Sequence, residues 1–210
     1  MDCAQEANDP LMVSYVLMRR SNLASGLGEG PRALGLARAA LRGAALLTPR
    51  ARALALRQEA RGHALAGDDL LAGRALETAR DEAALGQAQL FGDETLTGYC
   101  TPAFIEMEAA DCWMQLGQPG KAVAVFEQGL SGWPDSYPRD RGLHLARLST
   151  AHAADLDPER ACSVAREAVL IARATGSGRA LAELQRLPGQ LARWSSSRSV
   201  SELREALASM

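Results

Sequence analysis

Two arginines, Arg57 and Arg61, lie four residues apart and are the side chains best suited to recognition chemistry. On a helix this spacing places both guanidinium groups on one face, where they repel each other unless an anion lies between them. A guanidinium fork suits a carboxylate or a phosphate, and Asn22 offers an amide for further contacts. The alternative is that Glu108 and Asp111 neutralise the arginines internally, as structural ion-pair networks do.

Catalytic and metal-binding chemistry has little support in the sequence. Three histidines stand apart, without the H-E-x-x-H pattern, paired cysteines or carboxylates at ligand spacing; they are His63, His144 and His152. Glu106 and Glu108 are two residues apart, hence on different faces of a helix. The glycines of residues 26–30 follow no strand, which favours a turn between helices over a phosphate loop. We therefore expect no catalytic residue, no metal and no cofactor.

The composition of the 210-residue chain favours closely packed helices. Hydrophobic residues make up 47% of it but aromatic residues only 4%, so the core must be built chiefly from alanine and leucine. We find no convincing alternation of apolar and polar residues that would predict a strand. The formal net charge of -2 and the pI near 6.0 argue against a chain that grips nucleic acid by itself.

The cysteines and the apolar runs bear on location. Cys3, Cys100, Cys112 and Cys162 occur singly, and no basic-then-apolar leader opens the chain, which predicts reduced thiols in the cytoplasm. The longest apolar runs, such as residues 44–47, are too short to span a bilayer. We therefore expect no membrane role.

The turn signals recur in phase, which is the most informative property of the sequence. Glycines at 28, 67 and 117 each precede an alanine by five residues, and residues 156–158 (Leu-Asp-Pro) replace the glycine turn before a fourth alanine. Those alanines are Ala33, Ala72, Ala122 and Ala161, at steps of 39, 50 and 39 residues. An insertion of 11 residues therefore interrupts an otherwise regular period.

Small residues flank each turn at fixed distances. Seven residues before the turns lie Ser21, Ala60, Ala110 and Ser149, and seven after the alanines lie Ala40, Ala79, Gly129 and Ala168. Two helices joined by a short turn pack at close range only where their crossing points carry small side chains. The pattern therefore predicts antiparallel helix pairs.

The third unit carries a longer pattern of small, aromatic, glycine, alanine, aromatic, small and proline residues, at Ala110, Trp113, Gly117, Ala122, Phe126, Gly129 and Pro134. In this order the pattern resembles that of the tetratricopeptide (TPR) family. The other units match at the small positions and the turn; Leu76 fills the large apolar position of the second, whereas Ala37 and Ala165 under-fill it in the first and fourth. The resemblance implies an all-α fold, a right-handed α-solenoid of about four to five TPR-like hairpins with a C-terminal cap.

We expect three regions along the chain: an N-terminal extension (1–9), the repeat domain (10–195) and a C-terminal capping helix (196–210). The predicted helices cover residues 10–26, 31–47, 50–66, 69–88, 102–116, 119–132, 139–154, 158–175, 178–194 and 200–208. Pro188 should bend or end the ninth. The insertion at residues 90–102 is either a lid beside a groove or a spacer that re-aims the second half.

Six segments carry a second, narrower resemblance: residues 15–22, 47–50, 53–58, 98–102, 106–113 and 171–177. They resemble the C-terminal repeat half of actinobacterial Cro/cI-type (XRE family) helix-turn-helix regulators. The resemblance implies a sensor and dimerisation half that binds a peptide, protein or small-molecule effector, while a preceding domain reads DNA. That domain is absent from this chain, so DNA contact would be indirect. The alternative is a stand-alone scaffold that binds a protein partner or itself without a small ligand.

In a TPR stack the first helix of each pair lines the groove, so residues three before and one after the small position should face it. Together with residues one turn to either side, these positions give our candidate ligand-binding residues. They are Tyr15, Met18, Asn22, Arg57, Arg61, Met107, Asp111 and Met114. The methionines would supply an adaptable wall, although filling gaps in the core is the commoner use of methionine. Trp113 is predicted to be a core residue.

Overall fold

A computed structural model describes residues 9–88 and 94–209 and shows helices joined by turns, with no strand in these ranges. The α-helices are α1 (Pro10–Gly26), α2 (Gly30–Leu41), α3 (Pro49–Leu65), α4 (Asp69–Ala88), α5 (Glu94–Thr97), α6 (Pro102–Gln115), α7 (Pro119–Ser131), α8 (Pro138–Ala154), α9 (Pro158–Thr175), α10 (Gly178–Gln190) and α11 (Arg198–Ala208). Short 3-10 turns cover Ala44–Leu46 and Ala192–Trp194. The chain forms two compact units, unit 1 (Met1–Gly117) and unit 2 (Gln118–Met210).

Proline starts many of these helices, and polar side chains cap them. A proline occupies the first position of α1, α3, α6, α7, α8 and α9, where the missing amide hydrogen would have no helical partner and the fixed φ suits the helix. Thr48 accepts a hydrogen bond from the Ala51 amide, and Thr101 accepts one from the Phe104 amide. These contacts satisfy amides that a helix start leaves without a partner.

The four predicted turns share one backbone conformation. Gly28, Gly67 and Gly117 have φ of 74°, 77° and 68°, and Leu156 takes φ of 67° at the matching position of the fourth turn. The next amide reaches back across the turn, as Asp157 N does to the His152 carbonyl at 2.9 Å. This is the hydrogen bond of a Schellman motif. The predicted spacing of the four turns along the chain is confirmed, and the fourth turn keeps the left-handed backbone conformation without a glycine.

The small residues lie where the helices cross. All of those predicted before the turns and at the alanine positions are buried, and of the third set only Gly129 is half-buried. The Ser21 hydroxyl donates to the Ala33 carbonyl at 2.8 Å, which joins the first two small positions directly. Successive pairs approach as closely: a Cβ on Gly62 would lie 2.9 Å from the Leu34 Cα. The small residues thus set the distance between helix backbones.

Unit 1 repeats one packing scheme. The helices α1 and α2 pair, α3 packs on both, α4 pairs with α3, and α6 packs on α3 and α4. One apolar cluster includes Leu17, Leu54 and Ile105, and a second includes Leu76 and Cys112. Trp113 packs against the second cluster but is only partly buried, so it contacts the core as predicted without being enclosed by it.

Unit 2 continues with α7 on α8 and α8 on α9 and α10. The last helix departs from the scheme, because α11 packs chiefly against α9 and less against α10. Arg173 of α9 donates to the Ala206 carbonyl, and Glu159 of α9 accepts from the Ser197 and Ser199 hydroxyls. The final helix therefore packs on α9 with Val200 and Leu203 buried, and these polar contacts add to the packing.

The predicted helix bounds hold within one or two residues except at two C-termini. The helix predicted to reach residue 47 ends at Leu41, because Gly43 follows and the extended Thr48 must cap α3. The helix predicted to reach residue 194 ends at Gln190, two residues after Pro188, which has no amide hydrogen to continue the ladder. Residues 1–8 of the predicted extension, 90–93 of the predicted insertion and residue 210 of the predicted capping region lie outside the described ranges, as does residue 89.

Candidate functional site

The candidate positions separate into two rows along the first helices of unit 1. The buried row holds the residues three before each small position: Met18, Arg57 and Met107 are 3%, 8% and 2% exposed. The half-buried row holds the residues one after it, Asn22, Arg61 and Asp111. In unit 2, α8 shows the same pattern with Ala146 buried and Thr150 half-buried. In unit 1, polar side chains that are partly exposed thus belong to the second row rather than the first.

Arg57 occupies a position that is apolar in the other first helices. Its guanidinium forms an ion pair with the Glu108 carboxylate, and both side chains are about nine-tenths buried. The same guanidinium lies over the Phe104 ring, 5.6 Å from its centroid, within cation–π range. The internal neutralisation that we weighed for this arginine is therefore observed, with Glu108 as the partner. The burial of Met18 and Met107 likewise agrees with core filling.

Arg61 has a different environment. Its Nη1 donates to the Asn22 Oδ1 at 2.7 Å, so α1 and α3 are joined by a bond between an arginine and a neutral amide. Both side chains are half-buried, as are Asp111 and Met114 on α6. The structure thus brings Arg61 and Asn22 together as a polar pair, while Arg57 serves the interior.

A small cleft lies beside the buried row. Its lining residues are Tyr15, Met18, Arg19, Leu54, Arg57, Gln58 and Tyr99. The centre of a water molecule can reach about 20 Å³ of it, which is little more than one water needs. Ligand pockets for whole small molecules are commonly 300–1,000 Å³. This cleft can therefore admit one terminal group but not a complete metabolite.

The inserted segment contributes to that cleft. Thr97 and Cys100 are buried, and the Cys100 amide donates to the Thr97 carbonyl at 2.9 Å, so the turn after α5 is anchored. Tyr99 between them is half exposed and meets the Phe104 ring edge-on at 5.2 Å. Burial raises the pKa of the Tyr99 hydroxyl, although the positive charges of Arg57 and Arg19 act to lower it. The turn at residues 97–100 of the insertion is thus packed in place, and Tyr99 lines the cleft.

The candidate residues did not include four of the lining residues, Arg19, Leu54, Gln58 and Tyr99. Gln58 and Arg19 follow Arg57 and Met18 directly in the chain, so the repeat frame could have indicated them. Tyr99 could not be placed, because the insertion has no counterpart in the other units. Its position depends on long-range packing of α5 on α3.

The histidines and thiols belong to packed surroundings. His63 Nε2 lies 3.8 Å from a Glu59 carboxylate oxygen, and His152 Nε2 lies 3.6 Å from one of Glu127. Burial raises the pKa of the Cys100 and Cys112 thiols to about 12. In residues 9–88 and 94–209, no group of three or more histidines, cysteines and carboxylates is placed to hold a metal ion. None of the helices in those ranges is long and apolar enough to cross a membrane.

Solved structures supply a match for the fold. The chain superimposes on the nearly identical TPR-like repeats of a kinesin light chain-type protein from Podosopora anserina with a TM-score of 0.60 and 18% identity, over 95% of each chain. A single-substitution variant of that protein matches with the same score and identity, over 95% of this chain and 94% of the other. No family model and no curated protein matches the sequence. The fold is therefore an all-helical, TPR-like repeat solenoid, as predicted.

Proposed function

We propose that this protein is a regulatory binding module, and that unit 1 takes a peptide or a small acidic ligand along its half-buried row. The observation that carries the proposal is the bond between Arg61 and Asn22. The bond fixes a guanidinium at the surface of α3 through a neutral amide, which cannot cancel the positive charge. Because this guanidinium is already held in one orientation, it loses little side-chain conformational entropy when it pairs with a carboxylate.

The rest of the row suits an elongated ligand. Successive first helices present Asn22, Arg61 and Asp111 at equivalent register positions, so polar contacts recur along the row. Met114, half-buried one turn further along α6, offers an adaptable apolar contact. An extended peptide would use the arginine for an acidic group and the flanking residues for register.

We further propose that the module is the sensor and dimerisation half of a bacterial transcriptional regulator of the Cro/cI type, acting in the cytoplasm. The resemblance of the six segments to actinobacterial regulators supports this role, and the repeat fold is compatible with it. DNA would then be contacted by a helix-turn-helix part outside these 210 residues. Gel-shift assays on the full gene product, with and without the effector, test this part separately.

Isothermal titration tests the binding site. The probes are a set of glutamate- and aspartate-rich hexapeptides, with citrate and inorganic phosphate as small anions. A variant with Asn22→Ala and Arg61→Ala should bind at least about tenfold more weakly, because the charge-assisted contact is lost. The matched control is Arg74→Ala, an exposed arginine on the second helix α4. Equal binding by the double variant and the wild type would show that the ligand site lies elsewhere.

A scaffold that binds another protein or a second copy is favoured by exposed leucines at the end of α1. Leu23 and Leu27 are 66% and 65% exposed and four residues apart. A homodimer through this patch would dissociate in a Leu23→Ser, Leu27→Ser variant, as light scattering measures. The wild-type protein could also stay monomeric at high concentration and bind none of the peptide or anion probes. That pair of results would favour a scaffold that binds a different protein.

A further inference from the structure

We infer that the cleft bordered by Tyr15, Arg19 and Tyr99 is a second anion subsite, which holds one carboxylate group of a ligand. The inference rests on the proposed function and deepens it, because it gives the acidic end of the ligand a place of its own. That place differs from the Arg61–Asn22 pair, which does not line the cleft. Acetate can probe it without any peptide, so the two sites can be tested separately.

Arg19 supplies a positive charge that no described residue balances. Its side chain is exposed on α1, and its guanidinium forms no ion pair or hydrogen bond with residues 9–88 or 94–209. The other arginine of the lining, Arg57, is already paired with the Glu108 carboxylate. No acidic side chain of those same ranges lines the cleft. The lining therefore offers one positive charge to a ligand.

Two tyrosine hydroxyls lie beside this charge. Tyr15 is half-buried on α1, and Tyr99 is half exposed in the inserted segment. Neither hydroxyl bonds to a described residue, so each can donate to a ligand. Beside burial, which raises the pKa of the Tyr99 hydroxyl, the groups that act on it include Arg57, Tyr15 and Arg19. The charge and the hydroxyls thus share one electrostatic environment.

This lining is complementary to a carboxylate. A guanidinium has only donors, and a phenol hydroxyl can donate as well. A carboxylate offers two acceptor oxygens and a negative charge, so it suits an arginine with hydroxyls near it. An amide of the same shape lacks the charge and needs an acceptor for its own N–H groups. Met18 and Leu54 make up an apolar part of the lining, which leaves the polar contacts to Arg19 and the hydroxyls.

The size of the cleft limits the ligand to one flat end. The centre of a water molecule can reach about 20 Å³ of it, which suits a planar carboxylate better than a tetrahedral phosphate. Tyr99 meets the Phe104 ring edge-on at 5.2 Å, so its ring is held in place before a ligand arrives. The insertion thus supplies a wall and a hydroxyl that the regular repeat lacks.

The test is a ¹⁵N–¹H NMR titration of the intact chain with sodium acetate, at about pH 6, where acetate is ionised. The Nε–H signal of Arg19, assigned by its loss in Arg19→Met, should shift saturably, with a dissociation constant on the order of 10 mM for so small a ligand. Acetamide should bind at least about tenfold more weakly, because it lacks the charge. Sodium chloride keeps the ionic strength constant, which excludes a shift from screening alone.

Variants with matched controls identify the contacts, with binding followed at the Tyr99 backbone amide. Arg19→Met should abolish the acetate response. Arg20→Met removes the next arginine of α1, which is also exposed but does not line the cleft, and should change binding less than about twofold. Tyr99→Phe keeps the ring and should weaken binding about tenfold through the lost hydrogen bond. Tyr137→Phe, at an exposed tyrosine of unit 2, should have no effect.

Peptides distinguish the sources of the carboxylate. A glycine–serine hexapeptide with a free C-terminus should bind more tightly than acetate if the group is a chain end. An amidated form that carries one glutamate should do so if the group is a side chain. Acetate binding that neither peptide exceeds would identify a small free carboxylate as the ligand.

The failure of this inference can be told from the failure of the proposed function. The Asn22→Ala, Arg61→Ala variant keeps the whole lining of the cleft, so it should bind acetate like the wild type. If acidic peptides bound through Arg61 while acetate left the Arg19 signal unchanged, only the present inference would be wrong. Acetate binding that survives in Arg19→Met, or that falls equally in Arg20→Met, would also overturn it. The same holds if acetamide binds as tightly as acetate, or phosphate more tightly, at the Arg19 signal.

Discussion

Breaking the buried ion pair of unit 1 should be costly, whereas replacing both partners should not. Glu108→Met leaves the Arg57 guanidinium without its carboxylate at a site where the side chain is 10% exposed. Removing one partner of such a pair costs about 3–5 kcal/mol. The remaining exposure and the contact with Phe104 favour the lower end, about 3 kcal/mol, or roughly a hundredfold or more in the folding equilibrium.

The double variant Arg57→Met, Glu108→Met should recover most of that loss. Met18 and Met107 already occupy the same register position on α1 and α6, so this row accepts an unbranched apolar side chain. Replacing a buried pair by apolar residues of similar volume is often neutral or stabilising. We expect the double variant to lie within about 1 kcal/mol of the wild type.

Urea denaturation measures these changes by helical circular dichroism and by tryptophan fluorescence. Trp113 is the one tryptophan in the sequence of unit 1, so a Trp133→Phe, Trp194→Phe background makes the fluorescence report on that unit. If Glu108→Met lost less than about 1 kcal/mol, or if the two single costs simply added in the double variant, the pair would not be coupled as described.

Three further changes test the packing and the chemistry. Gly62→Ala should destabilise the protein by about 2 kcal/mol in urea denaturation, because its Cβ would lie 2.9 Å from the Leu34 backbone; Gly35→Ala, with open space around it, should instead stabilise by up to about 1 kcal/mol. Gly67→Ala should cost about 1 kcal/mol for its φ of 77°, and an unchanged stability would contradict the role of the left-handed turn. Burial lowers the pKa of His152, so the unfolded chain takes up the proton first and Tm should fall as pH drops below about 6.5; His152→Gln should flatten that part of the pH profile.

The local rules of the sequence predicted the fold well. Helix starts follow from proline and capping residues, and the turn phase follows from glycine. The matching left-handed φ at Leu156 shows that the frame predicts geometry even where the expected residue type is missing. The ends of helices were harder, because the stop at Leu41 depends on how Thr48 and Pro49 begin the next helix.

The candidate site was predicted less completely, for a physical reason. Register placed Arg57 and Arg61 on one helix face, but it could not tell which of them would point into the interior. That choice depends on Glu108, which is 51 residues further along the chain. Tyr99 and its neighbours depend on the same long-range packing. Sequence spacing describes one helix at a time, whereas the site is assembled from three.

The contact between α3 and α6 also bears on how freely the insertion can change in length. Joining Arg57 to Glu108 closes a loop of 51 residues, whereas the regular period would close one of roughly 40. The entropy of loop closure grows only as the logarithm of length, so the extra residues add roughly 0.2 kcal/mol. A change of a few residues in the length of the insertion would therefore alter this closure entropy by only a few tenths of a kcal/mol. The buried Thr97 and Cys100 are different, because a substitution there would disturb the turn that places Tyr99 against Phe104.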